Sequence, residues 1–306
     1  MSEYYGVTGS WAVAPGNCLD VLKTLPDNSI DAVVTDPPYG LSREPDMAEV
    51  MRHWLAGDDY VHTGNGFMGK SWDSFVPGPS VWRECYRVLK PGGHLLSFAG
   101  SRTQDLMGLA IRLAGFEIRD SIAWLYGSGF PKSLDVSKAI DKAAGAEREV
   151  VGQYKPPVMD KPWNLQNAVD KRDVKVFDSS RNNLDITAPA TEAAEQWQGW
   201  GTALKPAFEP IVVGRKPFPG TVAANVLEHG TGALNIDDCR VGSEERVNQA
   251  GGHSSINRAS RVEQGYRPTT GDWEPNSPTT VTGRWPTNVV LDDSQAAELH
   301  KQTGIL

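Results

Sequence analysis

The stretch from Ile30 to Gly40, Ile-Asp-Ala-Val-Val-Thr-Asp-Pro-Pro-Tyr-Gly, constrains the fold of this chain more than any other. The apolar run Ile30 to Val34 reads as a short buried strand. Pro37 and Pro38 lack the amide hydrogen that a sheet or helix needs, so neither element can continue through them. Asp36 and Tyr39 are therefore expected on a stiff loop at the strand's C-terminal end, where open α/β sheets place their ligand crevices. There Asp36 can accept a hydrogen bond from an amino group, the Pro37 carbonyl can accept a second, and the Tyr39 ring can stack on a planar ring. Such a ledge suits an aromatic amine.

The rest of the chain supplies a scaffold for it. Trp11 to Val13 reads as a short strand, and Gly16 to Leu22 as a brief helix closed by Pro26-Asp27-Asn28-Ser29. Residues 42 to 79 read as irregular. Residues 79 to 90 present Val81, Trp82, Cys85, Tyr86, Val88 and Leu89 near one helical face, and Pro91-Gly92-Gly93 is expected to stop that helix. His94 to Phe98 predicts a strand, Thr103 to Ala114 a helix, and Ile118 to Tyr126 a strand. Strand and helix alternating at this spacing predict a parallel sheet with right-handed crossovers. Ile211 to Gly214 predicts a strand returning to the sheet edge antiparallel to 118–126. Thr221 to His229 predicts a helix capped by Gly230-Thr231-Gly232, Arg284 to Leu291 a last strand, and Ser294 to Gln302 a last helix.

Composition limits the function classes. The net charge of -8 over 306 residues is unfavourable for meeting phosphate, so a nucleic-acid enzyme would need a local basic face. Residues 1–150 hold 14 basic against 19 acidic side chains and residues 151–220 hold 9 against 8, which makes the middle the least repulsive part. Cys18, Cys85 and Cys239 are widely spaced and form no Cys-x-x-Cys pair, so neither a disulfide framework nor a metal site is expected. No apolar run has membrane-spanning length and no signal peptide is legible at the N-terminus, which predicts a soluble, cytoplasmic protein.

The Asp36-Pro37-Pro38-Tyr39 motif resembles that of the S-adenosylmethionine-dependent DNA amino-methyltransferases, which methylate adenine N6 or cytosine N4. Gly16-Asn17-Cys18 before the motif, Phe67-Met68-Gly69-Lys70-Ser71-Trp72-Asp73 after it, and Leu204-Lys205-Pro206-Ala207-Phe208-Glu209-Pro210-Ile211-Val212-Val213 further on are similar to segments of phage and bacterial members. The resemblance implies an α/β, Rossmann-like methyltransferase fold: a mostly parallel sheet with an antiparallel edge strand, incomplete here, plus an irregular insertion. It implies that Asp36 and Pro37 hold the target amino group, that Pro38 stiffens the loop, and that Tyr39 stacks on a base flipped out of the duplex. Asp36 would also touch the cofactor. Methyl would pass directly to nitrogen without a covalent enzyme intermediate. Aspartate at the head of the motif favours adenine, because many cytosine N4 enzymes carry serine there.

The same resemblance divides the chain into a catalytic half (1–135), a polar insertion able to contact DNA (136–205), a returning strand (206–220) and a target-recognition region (221–306). Candidate DNA contacts are Lys70 and Trp72 beside the motif, Lys205, and Arg258, Arg261 and Arg267 in a Gly- and Ser-rich stretch. Double-stranded DNA is the expected partner. Basic residues interleaved with Trp163, Trp197 and Trp200 suit stacking on bases, and a loop-rich insertion with surface aromatics is the competing reading. Phe98-Ala99-Gly100-Ser101-Arg102 mimics the family's Phe-x-Gly-x-Gly cofactor loop, but Arg102 stands where the last glycine belongs. A glycine loop for the methionine moiety is not recognisable elsewhere. That leaves open a truncated chain, a separate cofactor-binding chain or homodimer as partner, or a divergent cofactor site; if the cofactor half is absent, the isolated chain is expected to bind little or no S-adenosylmethionine.

Overall fold

A computed structural model describes residues 11–40, 44–63, 71–127, 133–153, 185–248 and 279–303. The chain divides into two compact units, one of residues 1–127 with 208–306 and one of 128–207.

The first unit is built on a five-stranded sheet of β1 (Ile30–Thr35), β2 (Leu89–Phe98), β3 (Glu117–Leu125), β6 (Phe208–Arg215) and β9 (Val289–Leu291), in the order β1-β2-β6-β3-β9. β1 is parallel to β2 and β3 is parallel to β9, while β6 runs antiparallel to both of its neighbours. The α/β class and the mostly parallel sheet are as the sequence predicts. The returning strand pairs with β3 as expected, but it lies third of five and not at the edge, because its other side pairs with β2. Burial agrees with that interior place: Pro210 to Gly214 are buried without alternation, as befits a strand covered on both faces.

The helices between the strands are set by local chemistry. Asn17 caps α1 (Cys18–Lys23) by accepting the Leu19 amide at 2.9 Å. Asp46 caps α2 (Met47–Ala56), and Gly57 ends it at φ +92°. This helix lies in a stretch that reads as irregular; its apolar face buries Val50 and Trp54, with Met47 and Met51 packed beside them. Pro79 opens α3 (Pro79–Val88), which buries Trp82, Cys85 and Val88, and α4 (Gln104–Leu113) buries Met107, Ala110 and Ile111. These faces meet Leu89, Leu95 and Phe116 in the core.

Lys90-Pro91-Gly92-Gly93 does not stop a helix. It forms a bulge in β2, since Ile30 pairs with Leu89 while Ala32 pairs with His94. A Cβ on Gly93 would stand 2.9 Å from the Asp31 carbonyl, so only glycine lets the bulge sit this close to β1. The bulge is clasped from below by α7 (Val222–His229). Asn225 Nδ2 donates to the carbonyls of Pro91 (3.0 Å) and Thr231 (2.7 Å). Gly230 takes φ +73° as a plain helix cap. Lys216, at the end of β6, is buried and donates to Asn28 Oδ1, the Tyr86 carbonyl and the Leu89 carbonyl at 2.7 to 2.8 Å. Burial lowers its pKa.

A hairpin of β7 (Val241–Asn248) and β8 (Thr279–Arg284) follows, and α8 (Asp293–Thr303) ends the described residues. The second unit holds α5 (Val136–Ala144), α6 (Glu192–Gln196) and a two-stranded sheet of β4 (Val150–Gln153) and β5 (Asp185–Thr187). Its centre is polar. Asp141 is buried and pairs with Arg148, and it also accepts from the Ala190 amide, the Thr191 amide and the Thr191 hydroxyl.

Candidate active site

The C-terminal ends of β1, β2 and β3 and the N-terminal end of β6 share one side of the sheet, because β6 runs opposite to its neighbours. That side carries Asp36 to Tyr39, Phe98, Trp124, Tyr126 and Glu209. Asp36 is exposed and Pro37 to Gly40 are half-buried. Gly40 turns the chain at φ +65°, and a Cβ there would stand 2.9 Å from the Val76 nitrogen. The loop therefore lies against the backbone of Phe75 and Val76, a packing that a larger residue forbids.

Tyr39 is held at its amide, its carbonyl and its hydroxyl. The amide donates to Asp73 Oδ1 (2.9 Å), the Thr103 hydroxyl donates to the carbonyl (2.6 Å), and the phenol donates to Glu209 Oε2 (3.1 Å). Burial raises the pKa of the phenol, and the nearby Asp36 and Glu209 carboxylates push the same way. Tyr126 shows the same pattern: burial raises its pKa first, and the Glu209 carboxylate adds to it. Beside them Phe98 meets Trp124 edge-on at 5.7 Å and Trp124 meets Tyr126 at 6.0 Å. The result is an exposed carboxylate next to an anchored phenol, with an aromatic wall on the neighbouring strands.

Of the residues singled out from sequence, Asp36, Pro37, Pro38 and Tyr39 come together on this ledge. Trp72 lies in a 3-10 turn (Ser71–Asp73) and is 68% exposed, while its neighbour Asp73, at 8%, is the one that touches the motif. Lys205 is exposed and belongs to the second unit. Lys70, Arg258, Arg261 and Arg267 lie outside the described residues. Sequence reasoning missed Asp73, Thr103, Tyr126 and Glu209. Asp73 and Glu209 stand inside the two segments already noted for resemblance, and that was the available signal. Nothing in the sequence marks Thr103 or Tyr126.

In the Ala99–Arg102 loop Gly100 is buried and Arg102 is exposed. An exposed carboxylate suits a cation or an amino group and a phenol ring suits a flat ring, and Asp36 and Tyr39 offer both on one ledge. Among the described residues no His/Cys/Asp/Glu group could hold a metal, and no helix is long and apolar enough to cross a membrane.

An α/β protein with a polar, aromatic-walled ledge at the strand ends is thus defined, and comparison with known proteins places it. The family model of the N6/N4 DNA methylases matches residues 30–146, which span β1 to the end of α5. The type II methyltransferase M.HpaI of Haemophilus parainfluenzae is 30% identical over 127 residues, covering 41% of this chain and 35% of that one. The type II methyltransferase M.HindIII of Haemophilus influenzae is 24% identical over 234 residues, 70% of this chain and 61% of that one. Among solved structures the M1.HpyAVI–SAM complex aligns at 11% identity over 66% of this chain and 52% of that one, with a TM-score of 0.26. The chain spans less than two thirds of either curated relative. The likeness to the DNA amino-methylases lies in the N-terminal, motif-bearing part of the chain.

Proposed function

We propose that this chain carries the base-accepting side of a DNA amino-methyltransferase that acts on the exocyclic amino group of a flipped base, adenine N6 in preference to cytosine N4. S-adenosylmethionine supplies the methyl group when bound. The observation that supports the reading is the pairing of an exposed Asp36 with an anchored Tyr39 at the strand ends. Asp36 accepts a hydrogen from the amino group and the Pro37 carbonyl accepts the second, which directs the nitrogen lone pair outward. Tyr39 receives the face of the base, and Pro37 and Pro38 keep the ledge stiff. The type II relatives suggest a role in restriction and modification. Trp72, Lys205 and the arginines at 258, 261 and 267 are the proposed DNA contacts, with 221–306 as the recognition region.

The test is transfer of tritiated methyl from S-adenosylmethionine to unmethylated bacterial DNA, followed by nucleoside digestion and chromatography. Label in N6-methyladenine is expected, and Asp36→Ala should abolish it while duplex binding persists. Label in N4-methylcytosine would reverse the base preference, and turnover by Asp36→Ala would remove Asp36 from its role.

A second reading, a DNA-binding half that depends on a partner chain for its methyl donor, is supported by the burial of Gly100 and the glycine-poor loop around it. Calorimetry decides between them. Micromolar binding of S-adenosylmethionine by the chain alone supports the first reading, and binding only after a partner is added supports the second.

A further inference from the structure

Tyr39 has one hydroxyl proton and two carboxylates within reach of it. One is Asp36, on its own loop; the other is Glu209, which receives the hydroxyl at 3.1 Å. An ionised carboxylate only accepts hydrogen bonds, so whichever acid takes the phenol proton has one fewer acceptor site for anything else. The backbone settles where Glu209 stands. It pairs with Trp124 on β3, and the next residue, Pro210, accepts the Ala99 amide at 2.9 Å at the end of β2. The backbone of Glu209 is therefore held between two strands, and its carboxylate lies near Tyr126 as well.

We propose that Glu209 is a positioning residue that takes the Tyr39 hydroxyl proton and so leaves the Asp36 carboxylate free to receive an amino group. The inference rests on the reading of Asp36 as the acceptor of the target amine. Without Glu209, the phenol turns its proton to Asp36 and competes with the substrate for the same oxygen. The same arrangement fixes the tilt of the Tyr39 ring, since amide, carbonyl and hydroxyl are then all held. A purely structural Glu209 would make a different prediction, because loss of a packing contact cannot be repaired by removing a second hydroxyl.

Rescue is thus the deciding experiment, done on the full chain. Glu209→Ala is expected to lower kcat for tritiated methyl transfer about 10-fold or more, with KM for DNA within about twofold. Glu209→Gln, which keeps an acceptor for the phenol, should recover most of the loss. Tyr39→Phe in the Glu209→Ala background should be faster than Glu209→Ala alone, because Asp36 is released again. A double variant as slow as Glu209→Ala, or slower, overturns the proposal. A readout independent of turnover is the 13Cγ resonance of Asp36, identified by its loss in Asp36→Asn. It should move in Glu209→Ala and return in the double variant, and a resonance that stays put overturns the proposal whether or not the chain methylates DNA. If the resonance moves and returns while no variant nor the parent transfers methyl, the functional reading fails and the role of Glu209 stands.

Discussion

The Thr103 hydroxyl donates to the main-chain carbonyl of Tyr39 at 2.6 Å, joining the entrance of α4 to the motif loop across 64 residues. A second bond, from the Tyr39 amide to Asp73 Oδ1 at 2.9 Å, ties the same residue to the 3-10 turn at Ser71–Asp73. Thr103→Val keeps the shape and removes the donor. It should destabilise the protein by about 1 kcal/mol, as expected for one half-buried hydrogen bond, and lower methyl transfer more than it lowers DNA binding. Urea melts and the tritium assay measure the two. Wild-type turnover would mean that the carbonyl anchor does not matter to the ledge.

Gly40→Ala is the sharper perturbation. The position sits at φ +65° and its Cβ would press on the backbone nitrogen of Val76 at 2.9 Å, so both the conformation and the contact are unfavourable. The left-handed conformation alone costs about 1 to 2 kcal/mol. The expected outcome is a lower melting temperature together with loss of methyl transfer, because the clash moves the residue next to Tyr39. An unchanged melting temperature would contradict the packing of the loop on Phe75 and Val76.

The three thiols should separate cleanly by reactivity. Cys85 is 5% exposed, and burial, helped by the neighbouring Cys18 and Glu84, pushes its pKa up to about 12. Cys18 and Cys239 are exposed. Iodoacetamide at pH 8 should therefore label Cys18 and Cys239 and spare Cys85 until the protein is unfolded, as peptide mass mapping would reveal. Early labelling of Cys85 would mean that α3 opens at low cost.

The second unit should be acid-sensitive through Asp141. Burial alone would raise its pKa, but the Ala190 amide, the Thr191 hydroxyl and Arg148 outweigh burial and hold it below the ordinary value of 3.8. A carboxyl whose folded pKa is depressed contributes stability that is fully present above its unfolded pKa and lost as pH falls through the folded one. Asp141→Asn should thus destabilise α5 at neutral pH and flatten the decline below about pH 4. Hydrogen exchange of the α5 amides against pH reads both effects. A variant with the wild-type acid profile would assign the decline to other carboxyls.

The sequence made the ledge legible because two consecutive prolines after an apolar run leave the chain few conformations, and because their neighbours are chemically distinctive. It also predicted α3, α4, β3 and the pairing of β6 with β3, whose apolar spacings are strong. It misplaced what depends on partners far along the chain. Pro91-Gly92-Gly93 looks like a helix stop, yet the Asn225 side chain, 134 residues away, turns it into a clasped bulge. The interior position of β6 comes from its insertion between β2 and β3, a pairing of residues more than a hundred positions apart that local spacing does not declare. The hairpin of β7 and β8 has few apolar residues to mark it, and Val241 is 64% exposed. Glu209 could be quoted as part of a familiar stretch, but its use could be seen only when β6 brought it beside Tyr39.

The ladder between β3 and β6 runs to its last rung at Leu125 and Phe208, so the two points where the chain leaves and re-enters the sheet are direct neighbours. Residues 128 to 207 are thereby an insertion in sequence between two paired strands. Evolution can lengthen, shorten or exchange such an insertion without altering a single rung, and a protein engineer could splice a few-residue connection in its place while Glu209 still reaches the phenol it serves. The reacting face and the appendage are separable inventions carried on one thread.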